Sequence, residues 1–500
     1  MKWTNLFLTA FVLLQIACAT ENKQLTEISD SPQDSETKNL NLEIAAIENS
    51  LIKEYYVTGQ PLEQFSLSER MAHYNVPGVS VAVVIDGKVR WQKTYGVADN
   101  ASKKLLNDKT LFQAASISKP VSALAILKLV QEDKIDLDKD VNTYLKDWKL
   151  TSAENLPNAT ATIRQLLTHS AGTNVNGFGG YEQEEYMPTT REILNGDGKS
   201  ERLKIVRKPG GKWDYSGGGY VLLQKVVEDV SGQPFAQYMQ NEVLQPLDME
   251  ASTFTHPIDE QQYTNVSSGH DMEGKVISGK WNNFPELGAG GLWTNPTDLA
   301  KYCLYVQNVM AGQKGFLKKE TLEQMLIKHG DRDWGLGPFL TGEGNNLIFT
   351  HDGSNKGYRA DFLSYAYQGN AAVVMTNSDS GGELAEELMR AITTYYKWET
   401  RQQEVITPPD LSKEHLQSLA GTYSWDKRSQ YMVEVQVIKD DLWFVFPDDN
   451  GLEQLELIAK DEHHFLHLDS GTTIDFTPSS DNTVNKLKWR GRFEFSRVEK

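Results

Sequence analysis

Cysteine is nearly missing from this chain: 500 residues hold two, Cys18 and Cys303. So few exclude a disulfide framework and a cysteine-based zinc site. Clustered positive charge is missing as well. The formal net charge is −18 and no Lys/Arg-rich block occurs, which argues against nucleic acid and anionic membrane surfaces as partners. There is no internal repeat of roughly 20–50 residues, so solenoids and propellers are excluded. No Gly-x-Ser-x-Gly elbow, no His-Glu-x-x-His and no phosphate loop ending in Gly-Lys-Ser/Thr is present, which removes three common enzyme classes. His463, His464 and His467 crowd into "DEHHFLHLD". Adjacent residues of a strand point to opposite faces, so these read as solvated strand histidines, and neither metal nor cofactor is expected.

The only long apolar run comes first. "MKWTNLFLTAFVLLQIACAT" has Lys2, an apolar stretch at residues 6–14 and then small residues. This is the pattern of an export signal, here over 1–18, and the run is too short for a finished membrane span. "LQIAC" resembles a bacterial lipoprotein signal with Cys18 as the lipid carrier, although Gln15 stands where that signal prefers Leu. Ala17 and Ala19 also fit ordinary signal-peptidase cleavage. Both readings export the protein, to the periplasm or to an outer-membrane anchor, with membrane contact only through lipid on Cys18. In both, Cys303 is left without an intramolecular partner.

The rest of the chain suits a large domain and a smaller one. Residues 19–40 are polar and lack aromatics, which reads as a flexible tether. "VPGVSVAVVIDGKVRWQKTYGVAD" alternates β-branched residues on both sides of Asp86-Gly87, the pattern of a hairpin closed by a type I′ turn. Helical and loop segments follow from about 111 to 326. Strand patterns return in "NLIFTHDG", "RADFLSYAY" and "AAVVMTNS", so the first hairpin and these late strands are expected to share one antiparallel sheet with a helical insertion, an α+β layout. "TPPD" marks a linker at 403–412. Residues 413–500 break into short alternating strands, expected as a small β-barrel or sandwich.

Ser116 and Lys119 open "SISKPVSALAILKLV". Three residues apart on a helix, a hydroxyl and an amine share one face. A lysine at its reference pKa of about 10.4 is a poor base, but burial in an apolar helix lowers that value and lets the amine take the serine's proton. Pro120 fits only near a helix start. The Ser-x-x-Lys pattern also occurs at Ser35, Ser50 and Ser424, and it equally suits a capping serine beside an incidental surface lysine. Only Ser116 introduces a strongly apolar helix. "KPGGKWDYSGGGYVLLQKVVEDVSG" carries Tyr215-Ser216, where a phenol held partly ionised by cations relays a proton, or else packs on the core. "IFTHDGSNKGYRADF" ends a strand at His351-Asp352-Gly353, where glycine lets a substrate backbone approach the strand edge, or where a histidine merely closes a turn.

Ser116-x-x-Lys119, Tyr215-Ser216 and His351-x-Gly353 in this order resemble the serine β-lactamase and penicillin-binding-protein superfamily, in its class C β-lactamase, DD-carboxypeptidase, D-aminopeptidase and esterase branch. "VPGVSVAVVIDGKV", "TIRQLLTHSAGT", "GAGGLWTNPTDLAKY" and "AVVMTNSDSG" match too, so the resemblance covers about 51–396. It implies a β-lactamase/transpeptidase-like fold over 41–402, with a lipocalin-like barrel behind it that packs near the cleft. It also implies that Ser116 is acylated, Lys119 is its base, Tyr215 aids proton transfer and His351 adds polarity at the third motif. The backbone N–H groups of Ser116 and Ser354 would form the oxyanion hole. Gly353, Ser216 and Trp293 would line the substrate site. Where the family's second motif ends in asparagine this chain has Gly217, which leans away from β-lactam hydrolysis. The expected activity is therefore serine hydrolysis of short D-residue or peptidoglycan-type peptides, amides or esters. A β-lactamase, or a binding or sensor protein on the same fold, is the alternative.

Overall fold

The computed structural model describes residues 32–498 except 260, 262–263, 447–453, 469, 480–482 and 492. The leader expected at 1–18, with Cys18, lies outside the described residues. No helix among them is long and apolar enough to cross a membrane. Helix Pro32–Glu48 begins inside the stretch expected as tether: "LNLEIAAIENSLIKEYY" shows helical spacing, but the polar composition before it concealed the first part of the helix.

The hairpin forms as its dipeptide predicts. Strands β1 (Gly78–Ile85) and β2 (Lys88–Asp99) pair antiparallel around Asp86 and Gly87, whose φ values of 51° and 72° belong to a type I′ turn. β1 is buried along nearly its whole length because both faces of the sheet are covered. With β3 (Lys104–Leu105), β4 (Phe339–Thr341), β5 (Ile348–Asn355), β6 (Tyr358–Tyr365) and β7 (Ala371–Thr376), it builds a seven-stranded antiparallel sheet in the order β3-β2-β1-β7-β6-β5-β4. The early hairpin and the late strands therefore do share one sheet.

Four helices organise the rest: α1 (Ser118–Gln131), α2 (Gly217–Ser231), α3 (Pro296–Met310) and α4 (Gly381–Tyr395). Tyr302 of α3 meets Phe349 and Phe362 edge-on, at 6.0 and 5.8 Å between ring centres. The residue before Phe362, Asp361, pairs instead with Arg401 at 3.2 Å, and Arg401 also holds Glu386 of α4 at 2.8 Å. Successive strand residues face opposite ways, so α3 and α4 cover opposite faces of the sheet. α1 is buried almost all round, as a helix apolar on every side must be, and it runs through the centre of the helical insertion.

The last strands close into a barrel, β8 (Gly421–Trp425), β9 (Arg428–Ile438), β10 (Asp441–Val445), β11 (Leu455–Ala459), β12 (His464–His467), β13 (Thr472–Pro478), β14 (Val484–Trp489) and β15 (Phe493–Arg497). Closure removes exposed strand edges, and Tyr423, Phe444, Phe465, Phe476 and Phe495 fill the interior. The barrel was expected beside the cleft. Its contacts with the body lie elsewhere: Lys460 pairs with Glu404 at 2.6 Å and sits 5.5 Å from the Tyr55 ring centre. Glu404 opens strand Glu404–Ile406, within the expected linker, and that strand pairs in parallel with Tyr55–Val57. Leu468, Ser470 and Gly471 line a cavity together with Glu383 and Arg390 of α4, so the barrel docks on the α4 side of the sheet. His464 bonds Asp461 at 2.8 Å on the exposed barrel surface, and no metal-holding cluster occurs among the described residues.

Arg70, in helix Leu67–His73, fixes α4 to the N-terminal segment. Its Nε and Nη2 donate to the two Glu387 oxygens at 2.6 and 2.5 Å, and Tyr74 donates to the same carboxylate at 2.9 Å. Both charges are buried, so removing one strands the other. Glu387→Ala is expected to lower stability by about 3–5 kcal/mol, read by urea unfolding followed through tryptophan fluorescence; a change under about 1 kcal/mol, the range of an exposed pair, would refute this account.

Candidate active site

Ser116 lies in a 3-10 turn, Ala115–Ile117, that runs directly into α1. Ala115 has φ +49°, a left-handed value that costs a non-glycine residue about 1 kcal/mol or more and persists only where neighbours enforce it. The neighbours are identifiable. The Ala114 N–H donates to the Leu292 carbonyl at 2.8 Å, the Ser118 hydroxyl to the Ala115 carbonyl at 2.6 Å, and the Leu292 N–H back to Ser118 Oγ at 2.9 Å. On the other side β5 presses against the turn at Gly353. A Cβ there would stand 2.2 Å from the Ala114 oxygen and 3.3 Å from Ala115 Cβ, so no side chain fits. Asn355 completes the clamp, its Nδ2 donating to Gln113 Oε1 at 2.8 Å and to the Gly290 carbonyl at 3.2 Å.

Lys119 is only 2% exposed. Its Nζ contacts Ser116 Oγ at 3.0 Å and donates to the Ala289 carbonyl at 2.7 Å. The amine also sits 4.8 Å from the Tyr215 ring centre and 5.8 Å from that of Tyr220. Burial pulls its pKa down to about 7, against a smaller upward pull from Asp352. Near neutral pH the amine is therefore substantially unprotonated, with a lone pair beside the serine hydroxyl.

Tyr215 hydrogen-bonds Ser116, and burial raises its pKa above the ordinary phenol value. That corrects the expected partly ionised phenol: burial keeps Tyr215 protonated, beside an amine whose own pKa is lowered. His351 is buried, with Nδ1 bonded to the Asp352 carbonyl at 2.6 Å, while Nε2 has no partner. Burial lowers its pKa to about 4, so it is neutral and polar. β4 pairs with β5 only from Ile348 to Thr350, which leaves that edge of β5 without a strand partner from His351 onward. Ser354 lies there on the exposed face, one residue beyond Gly353.

Two expected lining residues do not line the site. Ser216 is buried and its hydroxyl is fully engaged: it accepts from the Gly219 N–H at 3.0 Å as the cap of α2, accepts from Thr173 Oγ1 at 2.7 Å and donates to the Val175 carbonyl at 2.8 Å. Trp293 is wholly buried, packed edge-on between Trp281 at 5.4 Å and Tyr358 at 5.8 Å. It belongs to the core.

Sequence reasoning missed His169, Trp213 and Trp334. The His169 ring lies 4.3 Å from Tyr215, 5.3 Å from Tyr220 and 5.0 Å from Trp334, and its Nδ1 accepts the Ser216 N–H at 3.1 Å. Burial and the Lys119 charge drive its pKa well down. Trp334 also meets His351 at 5.6 Å and Trp213 at 5.3 Å. Together these three rings pack around the Tyr215 ring. His169 stands in the motif "LLTHSAGT", the one available signal; the two tryptophans sit in loops with no periodic pattern.

The Beta-lactamase family model matches residues 66–396, a span holding every group just described. Protein flp of Staphylococcus aureus (strain N315) is 26% identical over 343 residues, 65% of this chain and 65% of its own length. The Putative penicillin-binding protein PbpX of Bacillus subtilis (strain 168) is 27% identical over 263 residues, 52% of this chain and 61% of that one. The chain thus spans less than two thirds of the length of these curated relatives. Among solved structures, the octameric penicillin-binding protein homologue from Pyrococcus abyssi superposes with a TM-score of 0.58 at 24% identity, covering 86% of this chain and 98% of that one. The penicillin binding protein from Bacillus halodurans gives 0.53 at 21% identity over 66% and 98%. At such identities the likeness is one of fold.

A base of pKa about 7 must be deprotonated to act. Acylation of Ser116 by a neutral activated ester should therefore rise as pH climbs through about 7 and then level off. Asp352 raises the Lys119 pKa, so Asp352→Asn should move that midpoint to lower pH. Single-turnover rates against pH check both; an upward move would refute the assignment.

Proposed function

We propose that this chain, which belongs to the Beta-lactamase family, is an exported serine hydrolase working through an acyl-enzyme on Ser116. The observation that carries the reading is the buried Lys119 amine 3.0 Å from Ser116 Oγ. The amine takes the hydroxyl proton as Oγ attacks an amide or ester carbonyl. The backbone N–H groups of Ser116 and Ser354 are the proposed donors to the tetrahedral oxyanion. Tyr215, protonated and bonded to Ser116, passes a proton to the leaving group. Lys119 then returns its proton to the Tyr215 phenolate, so recovers its lone pair, and activates the water that frees the acid. No step requires a metal or cofactor.

The proposed substrates are short D-residue or peptidoglycan-type peptides, small amides or esters. An extended substrate would add along the open edge of β5, where main-chain pairing supplies affinity without sequence demands. Gly217 supports a second reading, a penicillin-binding protein that acylates and turns over slowly: no side-chain amide stands at that position to contact the substrate.

The test is chemical labelling. The chain from Glu21 onward is incubated with a fluorophosphonate and, separately, with a fluorescent penicillin, and adducts are mapped by mass spectrometry. Labelling is expected at Ser116, abolished in Ser116→Ala and slowed about 10²–10⁴-fold in Lys119→Ala, as for loss of a general base. A persistent penicillin adduct without ester turnover would favour the second reading. No labelling by either probe would overturn both.

A further inference from the structure

Tyr215 is held at its backbone as well as at its ring, and a single residue supplies both holds. The Asp214 N–H donates to the His169 carbonyl at 2.8 Å. The Ser216 N–H donates to His169 Nδ1 at 3.1 Å. The residues on either side of Tyr215 are therefore tied to the main chain and to the side chain of one histidine. Between these two bonds the His169 ring lies 4.3 Å from the Tyr215 ring, tilted by 34°. The Tyr215 carbonyl is taken by Asn176 Nδ2 at 2.8 Å, but Asn176 is exposed while His169 is buried.

His169 reaches both partners from an unusual conformation. Its φ is +55°, a left-handed value that a non-glycine residue keeps only where its surroundings enforce it. Here the Ser170 N–H donates to the Gln165 carbonyl at 2.8 Å and the Gly210 N–H to the Ser170 carbonyl at 2.8 Å. Trp334 adds an edge-on contact to the imidazole at 5.0 Å. Because Nδ1 accepts a hydrogen bond, the ring proton belongs on Nε2, which has no partner among the described residues. Burial and the nearby Lys119 charge keep the ring neutral, so the acceptor is present throughout.

We propose that His169 is a positioning residue for the leaving-group proton transfer, aiming Tyr215 through the bond from the Ser216 N–H; this rests on the acyl-enzyme reading above. In that step the Tyr215 O–H bond breaks and its proton joins the leaving oxygen, which departs with the electron pair of its bond to the acyl carbon. The phenolate left behind is reprotonated by Lys119. Such a transfer needs the two oxygens within hydrogen-bond reach, and a displacement of about 1 Å costs roughly 10²-fold. Without the Nδ1 acceptor the buried Ser216 N–H is left unpaired, which the segment relieves by shifting. A leaving group stable as an anion departs without that proton, whereas an alkoxide does not.

The experiment compares kcat/KM for methyl butyrate and p-nitrophenyl butyrate in the full chain and its variants, so that only the leaving group differs. His169→Phe keeps a ring and removes the acceptor; it should lower the methyl-to-p-nitrophenyl ratio about tenfold or more. His169→Asn should retain the ratio, because its Oδ1 accepts the same N–H and asparagine tolerates the left-handed backbone. A merely structural role would lower both rates together and leave the ratio alone. His169→Leu serves as second variant should the phenylalanine form not fold, with the same fall expected. An unchanged ratio in the variants that lack the acceptor, or an equal fall in His169→Asn, overturns the proposal. So does a protein that labels at Ser116 with fluorophosphonate yet leaves methyl butyrate intact, since Tyr215 then delivers no proton to be aimed. Absence of that labelling marks failure of the acyl-enzyme reading instead.

Discussion

Burying one amine is the constraint on which the rest of this structure depends. An ammonium taken out of water costs several kcal/mol unless it is paired or neutralised. Among the described residues Lys119 pairs with no carboxylate; it has the Ala289 carbonyl, the Ser116 hydroxyl and two aromatic faces. That environment is polar enough to hold the amine and too dry to keep it charged, which is why its pKa falls to about 7. The same burial keeps the Tyr215 phenol protonated and His351 neutral. One physical cause thus leaves a lowered-pKa amine, a protonated phenol and an uncharged imidazole in one pocket.

The architecture serves that pocket from both sides. α1 is buried on nearly every face, and its first turn carries Lys119 into the core beside Ser116 of the preceding 3-10 turn. Short helix Leu287–Gly290 supplies the Ala289 carbonyl, and β5 closes the far side through Gly353. Gln113 and Asn355 tie the serine turn, that helix and β5 into one hydrogen-bonded unit, which is how the unusual φ of Ala115 is held. Among the described residues the barrel docks against α4 and the Tyr55 strand, and the groups around Lys119 all come from the body of the protein.

Much of this was legible beforehand. The type I′ hairpin followed from Asp86-Gly87, and the shared sheet followed from where strand patterns stopped and resumed. Ser116 with Lys119 stood out from three other Ser-x-x-Lys patterns only because an apolar helix followed, and burial of that helix is what distinguishes it physically. Ser216 and Trp293 misled for a common reason. A serine beside a motif tyrosine serves equally as a helix cap, and a tryptophan in a glycine-rich loop serves equally as core; which it becomes depends on Thr173 and Val175 in one case, and on Trp281 and Tyr358 in the other.

What the sequence by itself determined is whatever local geometry governs: the serine and lysine one helical turn apart, the turn dipeptide, the alternating strands, and the glycine that a close approach at 353 requires. Only the tertiary structure decided which groups meet across the chain. His169, Trp213 and Trp334 come from separate loops, and their convergence on Tyr215 leaves no periodic trace, because packing of distant segments obeys shape and burial rather than spacing. The same holds for the bond from the Ser216 N–H to His169, which exists only once their two segments lie together.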